Sequence, residues 1–314
     1  MRQRRARSNP VDGVLLLDKP RGITSQTAVA RVKHLFGAAK AGHTGTLDPL
    51  ADGLLPVCLG EATKFAQGLL DADKSYRAVI RLGVTTSTGD MEGEILSEHA
   101  PCTDAAAIEA ALGEFRGDIL QVPPMYSALK RAGKPLYAYA RAGTDVPREP
   151  RKVHIGRLVL EAIAGADVTV VVTCTKGTYV RVLAEDIGQR LGCGACLAGL
   201  TRTAVGGLQL AQAVSLPALD DLAPEDRPAL LLPVDALVSA LPRIDLDSSE
   251  AGHITAGRPI ARTASPVGPL ARAYGPGGEF LGLVAGETEG RIVPKRLVSS
   301  APVPAAAVEN GGKA

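Results

Sequence analysis

Apolar positions recur every second residue in some stretches of the chain and every third or fourth in others, so both strands and helices are expected. Residues 13–17, Gly-Val-Leu-Leu-Leu, form a short apolar run that reads as a buried strand, stopped by Lys19-Pro20-Arg21-Gly22. Thr24 or Ser25 can cap a helix with apolar positions Val29, Val32, Leu35 and Phe36, and Gly37 ends it. Residues 75–82 alternate, with Tyr76, Ala78, Ile80 and Leu82 on one face and Arg77 and Arg81 on the other, the pattern of a half-buried strand. Thr103 is placed to cap a second helix running through Leu112 to Phe115. Residues 168–173 are β-branched and strand-like, and a helix follows with Tyr179, Leu183, Ile187 and Leu191 at four-residue spacing.

No regular strand–helix–strand rhythm emerges, so the fold class expected is α/β (α+β), with a mixed, largely antiparallel sheet flanked by helices. The pattern changes after about residue 215. Pro217, Pro224, Pro228 and Pro233 punctuate an acidic stretch with room for one short helix. From residue 241 to 301 the chain becomes strand candidates (271–274, 279–284, 291–298) split by glycine turns, which suggests a small β-barrel-like module. Residues 1–10 read as a disordered basic arm and 302–314 as a disordered tail, leaving 11–235 for the main domain.

Composition sharpens this only in places. Hydrophobic residues make up 46%, aromatics only 3%, and Trp is absent, so the core must be aliphatic. Net charge is +2, but it is unevenly spread: residues 126–155 carry seven basic residues against two acids, and 216–250 carry eight acids against two arginines. A basic patch of that kind suits a polyanion, although charge runs are also common on plain solvated surfaces. Five cysteines are too few and too uneven for a disulfide framework and fit a reducing, cytoplasmic setting. No apolar run approaches the length of a membrane span.

The loop Gly42-His43-Thr44-Gly45-Thr46-Leu47-Asp48-Pro49 is the stretch most suggestive of chemistry. Its glycines let backbone approach a ligand, and Pro49 pushes Asp48 out of the helical region. A carboxylate held this way can act as a nucleophile; it can equally form a turn or cap a helix starting near Pro49.

Several segments together narrow the choice. The loop at 42–51, Gly13–Pro20 with Gly22 and Ser25, Leu59-Gly60-Glu61-Ala62-Thr63-Lys64, and Asp73-Lys74-Ser75-Tyr76-Arg77 follow one another in order. Leu82-Gly83 with Thr86, Thr88 and Asp90, the run Gln121 to Lys130, and Cys174 to Arg181 continue the series. This ordered set resembles the TruB family of tRNA pseudouridine synthases, densely over 11–205 and more weakly beyond, where the module is similar to the family's PUA-like domain.

The resemblance implies a pseudouridine-synthase fold. It also implies isomerisation of the T-loop uridine at conventional tRNA position 55, after base flipping, with neither cofactor nor metal. Asp48 matches the catalytic nucleophile, Arg181 the arginine paired with it, and Tyr76 the aromatic that stacks on the flipped uracil and moves a proton. Tyr179 and Leu200 match pocket-lining positions, His43 the residue that fills the space left by the flipped base, and Asp90 a position near the flipped nucleotide. Lys19 matches the lysine of the Lys-Pro turn beside the loop. The insertion at 126–155 matches a clamp on the tRNA T-arm, with Lys130, Arg131, Lys134, Arg141 and Arg148 as candidates for phosphate contacts. The family pattern implies a monomer acting on the tRNA T-arm and elbow without an obligate protein partner. Asp52 departs from it, standing where Thr or Ser is more usual.

Three alternatives stay open at this level. Cys193-Gly194-Ala195-Cys196 has the spacing of a metal or redox pair but no second ligand pair, and its glycines suit a helix-ending turn better. A non-catalytic RNA chaperone would use the basic segments alone and would not need Asp48. A guide-RNA-dependent synthase would carry extensions for protein partners; their absence and the basic insertion favour the stand-alone form.

Overall fold

A computed structural model of the chain describes residues 11–127, 129–262 and 268–299. The arm expected at 1–10 and the tail expected at 302–314 lie outside the described residues.

The chain opens with strand β1 (Gly13–Lys19), helix α1 (Ser25–Leu35), β2 (Ala41–His43) and β3 (Ala51–Leu59). A one-turn helix α2 (Gln67–Leu70) precedes β4 (Lys74–Leu82), the hairpin β5 (Val84–Thr86) and β6 (Ile95–Glu98), then α3 (Ala105–Glu114) and β7 (Gly117–Gln121). The basic insertion holds a small hairpin, β8 (Lys130–Arg131) and β9 (Lys134–Pro135), and helix α4 (Leu136–Ala140). Long strands β10 (Arg151–Ala164) and β11 (Asp167–Cys174), helix α5 (Val180–Arg190) and β12 (Ala195–Val205) follow, with short strands β13 (Leu208–Gln209) and β14 (Val214–Ser215).

These strands make one ten-stranded sheet in the order β14-β1-β3-β12-β4-β11-β10-β7, with β2 beside β3 and β13 beside β12. Only β1–β14 and β3–β12 pair in parallel; the rest are antiparallel, so the mixed, largely antiparallel sheet is observed. Helices α1, α3 and α5 cover one face, where Val29, Val32, Ile108, Leu112, Leu183 and Ile187 pack on Leu15, Leu17, Val57, Ile80 and Val170. The other face of β1 and β3 is buried too: Val14, Leu16, Leu54 and Cys58 join Phe65, Leu69, Leu237, Val238 and Leu283 in a second core. Burial on both faces is why residues 13–17 read as a run and not an alternation.

The C-terminal module follows α6 (Leu216–Asp221). It consists of β15 (Arg243–Asp245), α7 (Ser248–Thr255), β16 (Ile260–Ala261), β17 (Ala271–Tyr274), β18 (Phe280–Gly286) and β19 (Arg291–Leu297). Its five strands form a half-barrel-like sheet, β15-β17-β18-β19-β16, around its own core of Ile244, Leu246, Ile254, Leu281 and Val284. Phe280 meets Phe65 edge-to-face at 5.2 Å, and Tyr274 donates to Asp235, joining the module to the back of the large sheet.

Thr24 caps α1 as expected, its hydroxyl accepting from Thr27 N–H at 3.0 Å, and Gly37 takes the left-handed conformation after it. Three readings need correction. The cap of α3 is Asp104, not Thr103: Asp104 is the residue just before the helix, and its carboxylate accepts from Ala106 N–H at 3.0 Å. Tyr179 does not share the apolar face of α5; it is the residue before the helix, and Leu191 the one after. The acidic stretch contains more than one helix: α6, two 3-10 turns at Arg227–Leu230 and Val234–Val238, and α7. The reciprocal cap of α7, Asp247 with Glu250, was readable as a helix start. No described helix is long and apolar enough to cross a membrane.

Candidate active site

The loop 44–50 is stretched between two neighbours on the same side of β3. Strand β2 pairs with the end of β3, Ala41 to His43 opposite Leu59 to Val57, while β12 pairs with its beginning, Leu200 opposite Ala51. The loop must therefore cross the gap between β2 and β12, over the middle of the sheet. Four backbone tethers fix it there. Arg202 donates to Gly45 C=O at 3.1 Å, and Ser25 binds both backbone groups of Leu47. Ala51 N–H closes a turn on Asp48 C=O at 3.1 Å, and Gly22 N–H reaches Pro49 C=O at 2.8 Å. No helix begins at Pro49; Asp48 ends in a turn that feeds β3. Leu47 is buried in the core, so the adjacent Asp48 side chain is turned outward and is about half exposed (45%).

Arg181, in the first turn of α5, is only 6% exposed at its side chain and meets acceptors from three separate segments. It pairs with Asp48 Oδ2 at 2.9 Å and donates to Tyr126 C=O at 2.7 Å and to Thr88 C=O at 3.0 Å. Its Nε lies 3.5 Å from Asp90 Oδ2. Asp90, itself buried, accepts from Thr88 Oγ1 at 2.6 Å and Glu92 N–H at 3.1 Å. A planar cation with several fixed acceptors has one available orientation, and here that orientation presents one edge to Asp48.

A cavity of about 430 Å³ opens beside this pair. Gly45 to Asp48 form one wall, Thr175 to Arg181 another, and Tyr76, Leu200, Arg202 and Lys74 the floor. Register explains the floor: Leu200 and Arg202 of β12 stand opposite Ala78 and Tyr76 of β4. Tyr179 is set by Gln121, whose side-chain amide accepts from its N–H at 3.0 Å and donates to its C=O at 3.3 Å. Burial pushes the hydroxyls of Tyr76 and Tyr179 above the ordinary phenol range, while Arg202 beside Tyr76 pulls in the opposite direction.

Asp48, Tyr76, Tyr179, Arg181 and Leu200 thus converge on one cavity. Three other candidates stand outside its lining. His43 sits at the end of β2, its Nδ1 accepting from Gly45 N–H at 3.2 Å, and burial with Arg202 nearby holds its pKa below the usual value. Asp90 lies behind Arg181. Lys19 is wholly buried, donating to Pro20 C=O and Ile23 C=O, both at 2.8 Å, and burial lowers its pKa to about 8. Asp52 pairs with Arg21 at 2.7 Å across the same turn, which gives this chain's departure a partner.

The basic candidates divide. Lys130, Lys134 and Arg141 are exposed, Lys134 over the ring of Tyr139 and Arg141 over that of Tyr137. Arg131 donates to Pro147 C=O, and Arg148 to Pro123 C=O at 3.1 Å, so both brace the insertion internally. Cys193 and Cys196 are buried free thiols, and Gly192 and Gly194 take left-handed conformations in the turn after α5.

Sequence reasoning missed Arg202, Lys74, Gln121 and the second role of Ser25. Arg202 is 1% exposed and donates to Leu54 C=O at 2.7 Å besides Gly45. A signal existed: Leu200, Arg202 and Ala204 share parity on a strand, which puts a charge on a core-facing row. Lys74 donates to Leu70 C=O at 2.7 Å and Ala72 C=O at 2.6 Å, closing the end of α2. Lys74 and Gln121 lie inside segments that carry the resemblance, but nothing local assigns either of them a role.

Comparison with known proteins places these features in a family context. The N-terminal domain of TruB family pseudouridylate synthases matches residues 33–180, and the C-terminal domain of tRNA pseudouridylate synthase B matches 181–239. A second TruB C-terminal domain matches 242–298. The chain is 52% identical to tRNA pseudouridine synthase B of Methylobacillus flagellatus, over 96% of this chain and 99% of that protein. It is 55% identical to the protein of the same name from Cupriavidus metallidurans, over 92% of this chain and 94% of that one. Among solved structures, a Cbf5-Nop10-Gar1 complex superposes with a TM-score of 0.69 at 28% identity, covering 88% of this chain and 79% of that one.

Proposed function

The chain belongs to the TruB family of pseudouridylate synthases, and from that premise we propose that it isomerises a tRNA uridine to pseudouridine in the cavity beside Asp48. The target proposed is the T-loop uridine at conventional position 55, acted on by a monomer without guide RNA or obligate partner. The observation that carries the reading is the Asp48–Arg181 pair, 2.9 Å apart, at the mouth of a cavity floored by Tyr76 and Leu200.

A uridine inside a folded T-arm is stacked, so it must be flipped to reach this cavity. His43 then occupies the space it leaves, and exposed Lys130, Lys134 and Arg141 contact phosphates along the T-arm. Within the cavity Tyr76 and Leu200 hold the uracil, and Tyr179 closes the side next to α5. Asp48 supplies the carboxylate that promotes scission of the N1–C1′ bond, an oxocarbenium-like step of the kind carboxylates support in glycoside hydrolysis. Arg181 fixes its orientation. The base turns, C5 bonds to C1′, N1 gains a proton, and the C5 proton leaves, with Tyr76 as its first acceptor. Every atom is retained except that exchangeable hydrogen, so the chemistry calls for no redox partner or metal.

The departing C5 hydrogen provides the assay. A T-stem-loop RNA carrying tritium at uridine C5 releases label with the wild-type protein and none with Asp48→Asn. Full release by a folded Asp48→Asn variant overturns the nucleophile assignment. Release from the free stem-loop, with no guide RNA present, separates this reading from a guide-dependent synthase.

A further inference from the structure

We infer that Arg202 is a positioning residue for Tyr76: its guanidinium stands beside the phenol of its cross-strand partner and orients the hydroxyl that faces the base. The inference rests on the proton-transfer reading of Tyr76 given above.

Three features of the fold carry it. First, β12 and β4 pair so that Arg202 and Tyr76 are direct cross-strand partners, and both line the floor of the cavity. Direct partners have side chains in contact across the sheet. Second, Arg202 has its other nitrogens committed: Nε to Leu54 C=O at 2.7 Å and Nη2 to Gly45 C=O at 3.1 Å. Both acceptors are backbone groups of β3 and the Asp48 loop, so the guanidinium plane is fixed by the framework that fixes Asp48. Third, no acidic side chain pairs with Arg202 among the described ion pairs, and the residue is 1% exposed. A cation buried without a counter-ion carries a desolvation cost that what it contacts must offset. Tyr76 is the cross-strand partner beside Arg202.

The other cations lining the cavity have partners of their own: Arg181 pairs with Asp48 and Lys176 with Asp71. Asp48 faces Tyr76 from the loop and Cys174 from β11, and both disfavour its ionised form, while Lys74, on its own strand, is turned to the carbonyls of α2. Arg202, on β12, is the cation placed to favour proton acceptance by the phenol. The same guanidinium holds Gly45, so the orientation of the Tyr76 hydroxyl and the seat of the nucleophile loop are set by one group.

The test is single-turnover tritium release across a pH series, with Arg202→Met, Arg202→Lys and Tyr76→Phe singly and combined. Arg202→Met is expected to lower the rate about tenfold near neutral pH, the equivalent of one pKa unit, and to move the rising limb of the profile to higher pH. Arg202→Lys keeps the charge and should restore the limb's position but only part of the rate, because an ammonium cannot reach Gly45 and Tyr76 together. The shift of the limb should vanish once Tyr76 is already replaced by Phe, and the rate loss should shrink to the part owed to the Gly45 tether, while RNA affinity stays within about twofold, since the arginine does not touch the solvent-facing RNA surface. Thermal unfolding checks each variant, and if Arg202→Met does not fold, the lysine variant with Tyr76→Phe decides alone. Equal losses with and without Tyr76, at every pH, overturn the inference and leave Arg202 a structural residue. Full activity of Tyr76→Phe alone instead overturns the proton-transfer reading, and this inference with it.

Discussion

Ser25 holds both backbone groups of Leu47, accepting from its N–H at 2.8 Å and donating to its C=O at 3.0 Å. Ser25 lies in the first turn of α1, where Thr24 serves as the cap by accepting from Thr27 N–H, so the Ser25 hydroxyl is left for this contact. The residue after Leu47 is Asp48. The helix therefore positions the carboxylate through a single hydroxyl.

Replacing Ser25 with Ala leaves a buried N–H and a buried C=O without partners, at about 1–3 kcal/mol for such a group. Thermal unfolding should show that loss. The rate of tritium release should fall further than RNA affinity, because the fault lies in the seat of Asp48 and not in the RNA surface. A folded Ser25→Ala protein with wild-type turnover removes the positioning role.

Gly188 lets α5 lie against β12. A Cβ there would stand 2.2 Å from Ala195 N and 2.4 Å from Ala195 Cβ. Alanine gains up to about 1 kcal/mol in helix propensity, but overpacking of this kind costs about 1–3 kcal/mol, so Gly188→Ala should lower the melting temperature. Because α5 carries Arg181 seven residues earlier, turnover should fall as well. An unchanged melting curve would mean that the helix has room to slide.

Lys19 gives a pH signature. Its pKa is lowered from 10.5 to about 8 by burial, so the folded protein releases this proton before the unfolded chain does. Between those values the unfolded state binds more protons, and stability rises with pH as Lys19 loses its charge. Below about 8 both states carry the charge, and folding bears the full burial cost. Denaturant unfolding from pH 7.5 to 10.5 should therefore show a rise in the wild type that Lys19→Met lacks. Parallel curves for the two proteins would place the lysine in a better-solvated setting.

Lys130 and Lys134 sit exposed on the small hairpin of the insertion. Changing both to Glu should weaken binding of a T-stem-loop and reduce the steepness of its salt dependence by about one unit for each lost phosphate contact. Turnover at saturating RNA should hold. Binding measured by fluorescence anisotropy at several salt concentrations reads both effects, and an unaltered salt slope excludes the hairpin from the interface.

Local signals made the frame of the molecule readable. The Thr24 cap, the alternation at Tyr76 to Leu82 and the glycine at the end of α1 each act over a few residues, and each was observed. So was the convergence of Asp48, Tyr76 and Arg181, but through resemblance, since Asp48 read alone was as plausible a turn. What stayed hidden depends on contacts between distant positions. Ser25 and Leu47 are 22 residues apart, Gln121 and Tyr179 58, and Arg202 and Leu54 148. No window of sequence contains such a pair. The helix α7 is a different kind of miss: its capping box is written locally, but the segment around it is dominated by the strand candidates and glycine turns that follow from Gly257 onward.

The burial of β1 on both faces carries a consequence for how much of this protein can be removed. Val14 and Leu16 rest on a layer completed by Leu283 of the C-terminal module, with Phe280 packed against it. Deleting residues 242–299 would expose that layer to water as a continuous oily strip, with the sites of chemistry untouched. Such a truncated chain would fail first by clumping in solution, at concentrations where the intact chain stays dispersed, before any defect in catalysis could be measured. The module is thus the outer skin of the large sheet as well as whatever it contributes at the RNA.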